Sequence, residues 1–205
     1  VLGYLVSIVG VGMLVGTLIM SAWGGPKRRI HGVLGFLMIS GFFTSMLGVS
    51  PLIPMIAIAG FGLFITFPII NGSSQAIWQS KVDPDVQGRV FAVRRMIAWS
   101  TTPLAYLVAG PLVDRIFRPL LLEGGALAES VGQVIGVGPS RGTGFLFIVV
   151  GTVTIAVSAL GYLSPHVRNV EDELPDVVIL DEAGDQVEEE AGESIPRKTA
   201  NSEGD

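Results

Sequence analysis

The sequence predicts an all-α fold, a polytopic membrane helix bundle with about five transmembrane helices. Two observations lead to this prediction: the content of charged residues is low, and those residues are segregated along the chain. Only 15% of the 205 residues are charged, against roughly 25% in soluble domains. Four stretches, 1–26, 30–80, 96–113 and 142–167, contain no Asp, Glu, Lys or Arg. Each is long enough to cross a bilayer as a helix, and the second is long enough for two.

The first predicted span covers residues 1–23 and is rich in small residues. Gly12 and Gly16 form a small-xxx-small pattern, which lets two helix backbones approach closely within a membrane. This pattern is typical both of static helix packing and of an interface that moves, and the residues alone leave both readings open. A tight basic turn, Gly24–Arg29, follows the span.

The second and third predicted spans cover residues 30–47 and 52–78, and two prolines provide the break between them. A polar connector, Gln79–Arg89, follows the third span. Its Asp83-Pro84-Asp85 sequence is typical of a turn. We therefore expect a loop of about eleven residues here, from Gln79 to Arg89.

The fourth predicted span covers residues 90–113, and a longer loop, 118–143, separates it from the fifth span at residues 144–163. The fifth span ends just before Pro165. Proline has no backbone N–H and its ring clashes with the preceding helical turn, so it ends a helix at this point. The sequence starts inside an apolar stretch without an initiator Met. We therefore expect it to be part of a longer chain.

The basic residues predict the orientation of the five spans. Alternate loops lie on opposite sides of the membrane, so one side carries eight basic residues and the other carries three. Cytoplasmic loops hold the excess of Lys and Arg, so we expect the basic turn, the connector and the carboxyl terminus in the cytoplasm. The expected location is the inner or plasma membrane of the cell. The eight residues are Lys27, Arg28, Arg29, Lys81, Arg89, Arg94, Arg95 and Arg168.

The charge balance divides the chain into two regions. Residues 1–170, the predicted membrane domain, carry eleven basic and five acidic residues, a balance of +6. Residues 171–205 carry thirteen acidic and two basic residues, a balance of −11. Because this second region has few aromatic residues and no apolar periodicity, we expect a disordered cytoplasmic tail. It could serve as an interaction segment or simply as a solvated terminus.

The sequence contains no pattern that predicts an enzyme, a metal site or a cofactor. Cysteine is absent, so disulfides and thiolate metal sites are excluded. The two histidines, His31 and His166, both lie beside predicted membrane boundaries, where a headgroup-level position explains them. Nucleic-acid binding is not expected either, because the basic residues lie at helix ends, where membrane topology already accounts for them.

Three segments carry a family resemblance. Residues 16–29 form a glycine-flanked basic turn between two helices, residues 71–90 join a polar helix end to the connector, and residues 103–115 contain two prolines before Asp114 and Arg115. Together they resemble the major facilitator superfamily of transporters, in its branch of macrolide-efflux-like and siderophore-exporter-like (enterobactin-exporter-like) drug antiporters. The first segment is similar to the second copy of the superfamily's signature loop, although the usual Asp of that loop is absent.

This resemblance covers about residues 1–170 and implies that the five spans are helices eight to twelve of a twelve-helix fold. It implies a secondary active transporter that exports hydrophobic or amphiphilic small molecules, of drug, macrolide or siderophore type, by alternating access driven by protons. The implied partners are the lipid bilayer, the small-molecule substrate, protons and the first half of the same transporter. An uptake permease for a small metabolite and a membrane anchor or scaffold without transport are the alternatives.

Polar residues inside apolar spans are candidates for a substrate pathway, because burying them in lipid is costly. Asn71 and Gln75 are four positions apart and share a helix face, and Ser74 lies in the same cytoplasmic third of the span. These groups could bind a polar substrate or tie two helices together. Trp99 could stack on an apolar substrate or belong to the tryptophan belt at the membrane boundary. Thr102 is the fifth candidate.

The basic residues Lys27, Arg28, Arg29 and Arg89 are candidates for a cytoplasmic gate, since a transporter that alternates access must make and break contacts at that face. Membrane topology alone would also place them there. The predicted spans contain no acidic residue at mid-depth. We therefore expect the group that carries protons to lie in the first half of the transporter.

Overall fold

A computed structural model describes residues 2–122, 124–138 and 140–173. In this part of the chain the secondary structure is helical, and five helices are long and apolar enough to cross a membrane, as predicted. The five long helices are α1 (Leu2–Trp23), α2 (Arg29–Val49), α3 (Ile53–Lys81), α4 (Pro84–Leu112) and α7 (Arg141–Leu163). The short ones are α5 (Arg118–Leu120), α6 (Val131–Ile135), α8 (Pro165–Arg168) and α9 (Val170–Glu173).

Four of the long helices pack in a row, in the order α1, α3, α2 and α7. Glycines bring the first two together: a Cβ atom on Gly12 would lie 2.8 Å from the carbonyl oxygen of Phe61, and one on Gly16 would overlap that of Ile65. The small-xxx-small pattern of α1 is therefore a close backbone contact with α3.

A second set of glycines joins α2 to α7 and was not singled out from the sequence. A Cβ atom on Gly48 would overlap the carbonyl oxygen of Gly144, and one on Gly151 would overlap that of Gly41. At the other end of the same interface, the buried Ser158 hydroxyl donates a hydrogen bond of 3.0 Å to the carbonyl oxygen of Leu34. Close backbone contact and a buried hydrogen bond are the means by which helices associate in lipid.

The outer surface of the bundle is apolar. Tyr106, Leu163 and Trp99 expose 79%, 76% and 69% of their surface. Contiguous apolar surface of this kind is not typical of a soluble monomer, whereas hydrocarbon is as apolar as these side chains. The structure therefore confirms the prediction of a membrane helix bundle.

The fourth span differs from its predicted bounds. It begins at Pro84 instead of residue 90, so the break between α3 and α4 shrinks to Val82 and Asp83. Asp83 acts as a helix cap: its side chain accepts a hydrogen bond of 2.8 Å from the amide of Asp85. Asp at this position, followed by Pro in the first turn, starts a helix. The predicted turn is therefore the amino-terminal cap of α4.

The far end of α4 also extends beyond its predicted limit, since a π-helical turn, Val113–Phe117, carries the helix onward to α5. This π-helical turn packs against α7 through a ring contact of 5.1 Å between Phe117 and Phe145. The predicted loop after it holds α6. Of the predicted acidic tail, residues 171–173 belong to α9. Residues 174–205 lie outside the described residues, so their predicted disorder stays a prediction.

Candidate functional site

The ends of several helices meet at one end of the bundle, which we call the basic end. It carries Lys27, Arg28, Arg29, Lys81 and Arg89, and α1, α3 and α7 end here while α2 and α4 begin here. The guanidinium of Arg29 donates a hydrogen bond of 2.8 Å to the carbonyl oxygen of Ala76 in α3. This bond fixes the start of α2 against α3.

Glu171 in α9 completes the basic end. Its carboxylate oxygens accept hydrogen bonds from the backbone amides of Arg29, at 3.1 Å, and of Ile30, at 3.4 Å. The Arg28 side chain makes no capping bond at this helix start. The Glu171 carboxylate therefore accepts hydrogen bonds from backbone amides that have no partner within the helix. Its negative charge also interacts favourably with the helix dipole. The Lys81 ammonium donates a bond of 2.8 Å to the carbonyl oxygen of Glu171.

Sequence reasoning did not identify Glu171, which it placed with the acidic tail. The partners of its carboxylate lie 142 and 141 positions away along the chain, so no local spacing reveals them. Glu171 thus links α9 to the start of α2 through its carboxylate and to the end of α3 through its backbone carbonyl, which accepts the bond from Lys81.

Replacement of Glu171 by Ala should release the segment around α8 and α9. An anion at a helix amino terminus contributes up to about 1 kcal/mol, which corresponds to a roughly fivefold larger open population. Trypsin cleavage after Arg168, measured in inside-out vesicles, should accelerate by that factor, because proteolysis follows the open population when opening is fast. Glu129→Ala, at an exposed position near the other end of the bundle, is the control. Equal cleavage of wild type and Glu171→Ala would show that the carboxylate does not hold the segment.

The basic end places the predicted gate candidates in different surroundings. Lys27, Arg28, Arg29 and Arg89 are all exposed, and Arg29 bonds to α3. Arg89 instead lines a cleft between α3 and α4 of about 510 Å³, together with Trp78 and Arg94. The gating role of these four residues stays a prediction.

Arg94 is the main side-chain link between α3 and α4. Its guanidinium donates a hydrogen bond of 2.8 Å to the Ser74 hydroxyl and a longer one of 3.5 Å to the side-chain oxygen of Gln75. Its Cζ atom also lies 5.2 Å from the centre of the Trp78 ring, within the range of a cation–π interaction. Arg94 is thus held by three side chains of one helix.

A cavity of about 380 Å³ lies beside this link. Three of the predicted pathway residues meet here: Asn71 and Gln75 line the cavity, and Ser74 bonds to Arg94 at its side. The Asn71 amide nitrogen donates a bond of 2.9 Å to the carbonyl oxygen of Phe67 in its own helix. The full lining is Asn71, Gln75, Phe91, Arg94, Arg95 and Ala98.

The other two pathway candidates lie apart. Trp99 is 69% exposed, and its ring centre lies 6.0 Å from the Cζ atom of Arg95. Thr102 is exposed one turn farther along α4 and does not line the cavity. The structure therefore groups Asn71, Ser74 and Gln75 around Arg94 and leaves Thr102 outside this group.

Sequence reasoning used Arg94 and Arg95 to predict orientation and missed them as site residues. A local signal was present: Ser74 and Trp78 are four positions apart, so they share one face of α3 and can receive the same side chain. What the sequence did not show is that α4 begins early enough to bring Arg94 opposite that face.

Comparisons with known proteins give a partial likeness. No family model matches the chain, and no solved structure matches it. The chain is 28% identical over 109 residues to macrolide efflux protein A of Streptococcus pyogenes and, to the same extent, to the protein of that name in serotype M6 of this species. The match covers 51% of this chain and 26% of each relative, so it spans about a quarter of their length. The chain is thus a membrane protein with spanning helices, and over half of its length it is similar to a macrolide efflux protein.

Proposed function

We propose that this chain forms part of a secondary active transporter of the major facilitator type, which exports hydrophobic or amphiphilic small molecules from the cytoplasm. The observation that carries the proposal is the cavity between α3 and α4. It combines the amides of Asn71 and Gln75 with an aromatic wall at Phe91, in a bundle whose outer surface is otherwise apolar. Concave sites in which placed polar groups adjoin apolar surface are typical of small-molecule binding, and this cavity is lined by four polar or charged side chains and two apolar ones. The similarity to a macrolide efflux protein supports the direction of transport.

The loose attachment of α4 supports a mechanism of alternating access. The hydrogen bonds described between α4 and α3 are made by side chains, those of Arg94 and Gln87. A helix held in this way can separate from its neighbour by breaking a few polar bonds, without opening a packed interface. Rocking of transporter elements around a central site needs such contacts at one membrane face.

We expect Asn71→Leu and Arg89→Ala to reduce export by the full-length protein. The first removes amide groups from the cavity, and the second removes a charge from the neighbouring cleft. Accumulation of a fluorescent dye or a macrolide in efflux-deficient bacteria should rise about tenfold towards the level of cells without the protein, as expected when one hydrogen bond to a substrate is lost. Addition of a proton uncoupler to wild-type cells should raise accumulation in the same way if protons drive export.

The matched control for Asn71→Leu is Thr154→Leu. Thr154 is half-buried, and its hydroxyl also bonds to a carbonyl of its own helix, that of Val150 at 2.8 Å, but it lies on α7, away from the cavity. Expression is compared by immunoblot. Unchanged accumulation in both variants would remove Asn71 and Arg89 from the pathway. Lower accumulation in cells without the protein would indicate an uptake permease, and no dependence on the protein would favour an anchor.

A further inference from the structure

The cavity between α3 and α4 carries two guanidinium groups, those of Arg94 and Arg95. Within the described ranges, no carboxylate lies within 4.0 Å of either group. The acidic residues of α4, Asp83 and Asp85, are at least nine positions earlier, about 13 Å along a helix. The cavity therefore has a local charge of +2 that its own side chains do not balance.

The two arginines have donors to spare. A guanidinium has five N–H donors, and Arg94 uses two of them on Ser74 and Gln75, one bond being as long as 3.5 Å. Arg95 lies beside the Trp99 ring, which accepts no conventional hydrogen bond. Oriented and unused donors of this kind fit the paired oxygens of a carboxylate or a phosphate group.

The surroundings of Arg94 hold it in place before any ligand arrives. The Ser74 bond and the Trp78 ring fix the plane of the guanidinium, so little side-chain freedom remains to be lost on binding. Phe91 and Ala98 add an apolar wall on the α4 side of the same cavity. The cavity thus presents a fixed cation next to apolar surface.

We propose that this cavity binds the anionic group, a carboxylate or phosphate, of an amphiphilic substrate, with Arg94 as the main anion ligand and Arg95 as the second. The inference rests on the proposed function and adds the substrate class. The apolar part of the substrate lies against Phe91 and Ala98, and the amides of Asn71 and Gln75 bind further oxygen atoms. Removal of Arg94 should therefore weaken binding of anionic substrates selectively.

The test compares two dyes, rhodamine B, which has a free carboxylate, and its ethyl ester, which has the same ring system without that charge. Their dissociation constants are measured by fluorescence on the purified full-length protein in phosphatidylcholine nanodiscs, without any ion gradient. Arg94→Gln should weaken binding of the carboxylate dye by about tenfold or more, the effect of losing a charge-assisted hydrogen bond. Binding of the ester should change by less than about twofold, on the same physical grounds. Arg94→Lys, which keeps the charge but loses the paired donors, should give an intermediate loss.

The control is Arg115→Gln, which removes the same charge from the π-helical turn at the far end of α4; it should leave both constants unchanged. An equal loss for both dyes, or wild-type binding of the ester as tight as that of the carboxylate, would overturn the proposal. The amount of phosphatidylglycerol that co-purifies with each variant is measured as well. If Arg94→Gln loses this lipid and the two dyes are not discriminated, the arginines bind a lipid phosphate and the proposal is wrong. Dye binding is measured without transport, so it can be interpreted even if the export assay fails. Conversely, a negative result in the binding assay does not contradict export.

Discussion

Gly48→Ala should destabilise the full-length protein, although alanine is the better helix former. The new methyl group would overlap the carbonyl oxygen of Gly144, where α2 and α7 cross. A backbone atom cannot rotate away as a side chain can, so the helices must separate. Overpacking of this kind costs about 1–3 kcal/mol, whereas the gain in helix propensity is about 1 kcal/mol. The loss should spread along the interface, because Gly41 and Gly151 meet closely in the same row.

The matched control is Gly35→Ala in the same helix. A Cβ atom on Gly35 would meet nothing within 4 Å, so this variant should keep only the propensity gain and be unchanged or more stable. The measurement is the temperature at which half of the detergent-purified protein is lost from the monomer peak in size-exclusion chromatography after heating. Gly48→Ala should lower this temperature, and Gly35→Ala should leave it unchanged or raise it. A shift of the same sign and size for both would show that α2 and α7 do not cross at Gly48.

Gly16→Ala should have a comparable effect on the contact between α1 and α3. Its methyl group would overlap the carbonyl oxygen of Ile65 and approach the rest of that residue's backbone. Gly12, one turn earlier, has a second close approach at Phe61, so the helices cannot tilt about one point to relieve the overlap. The expected cost is again about 1–3 kcal/mol before the helix-propensity gain is subtracted.

Gly10→Ala provides the comparison within α1, because a Cβ atom there would meet nothing within 4 Å. The same heating assay applies, and dye export by the same variants adds a second reading. A static interface predicts that export by Gly16→Ala falls only as far as the amount of folded protein falls. An interface that moves predicts a further drop in export per folded molecule. Unchanged heat stability of Gly16→Ala would contradict the close contact itself.

The glycines illustrate how much of the packing could be predicted. Gly12 and Gly16 were recognised from their spacing of four, which places both on one helix face. Gly41 and Gly48 lie in a span with other small residues, among them Gly35, where an added Cβ atom would meet nothing within 4 Å. Only the direction in which each helix faces its partner separates these cases.

The site shows the same division. Asn71, Ser74 and Gln75 were predicted because polar groups in an apolar span are costly, and the structure places them together. Arg94, which bonds to Ser74 and Gln75, was missed because the predicted start of α4 was six residues too late, which hid the cap at Asp83. Thr102 satisfied the same polar criterion as Asn71, yet it lies away from the cavity. Polarity predicts candidates, and the position around the helix axis decides among them.

The sequence by itself determined that this protein is a membrane helix bundle, that it has five spans, and which helix ends carry the basic residues. These properties depend on runs of apolar residues and on the positions of charges, and both are local. Only the tertiary structure decided that α2 lies between α3 and α7, that the Glu171 carboxylate caps α2, and that Arg94 meets Ser74 and Trp78. Those contacts join residues far apart in the chain, and inside a lipid-facing bundle many helix faces are equally apolar. Close backbone approach and a few polar bonds therefore select the partners, and neither can be read from a single helix.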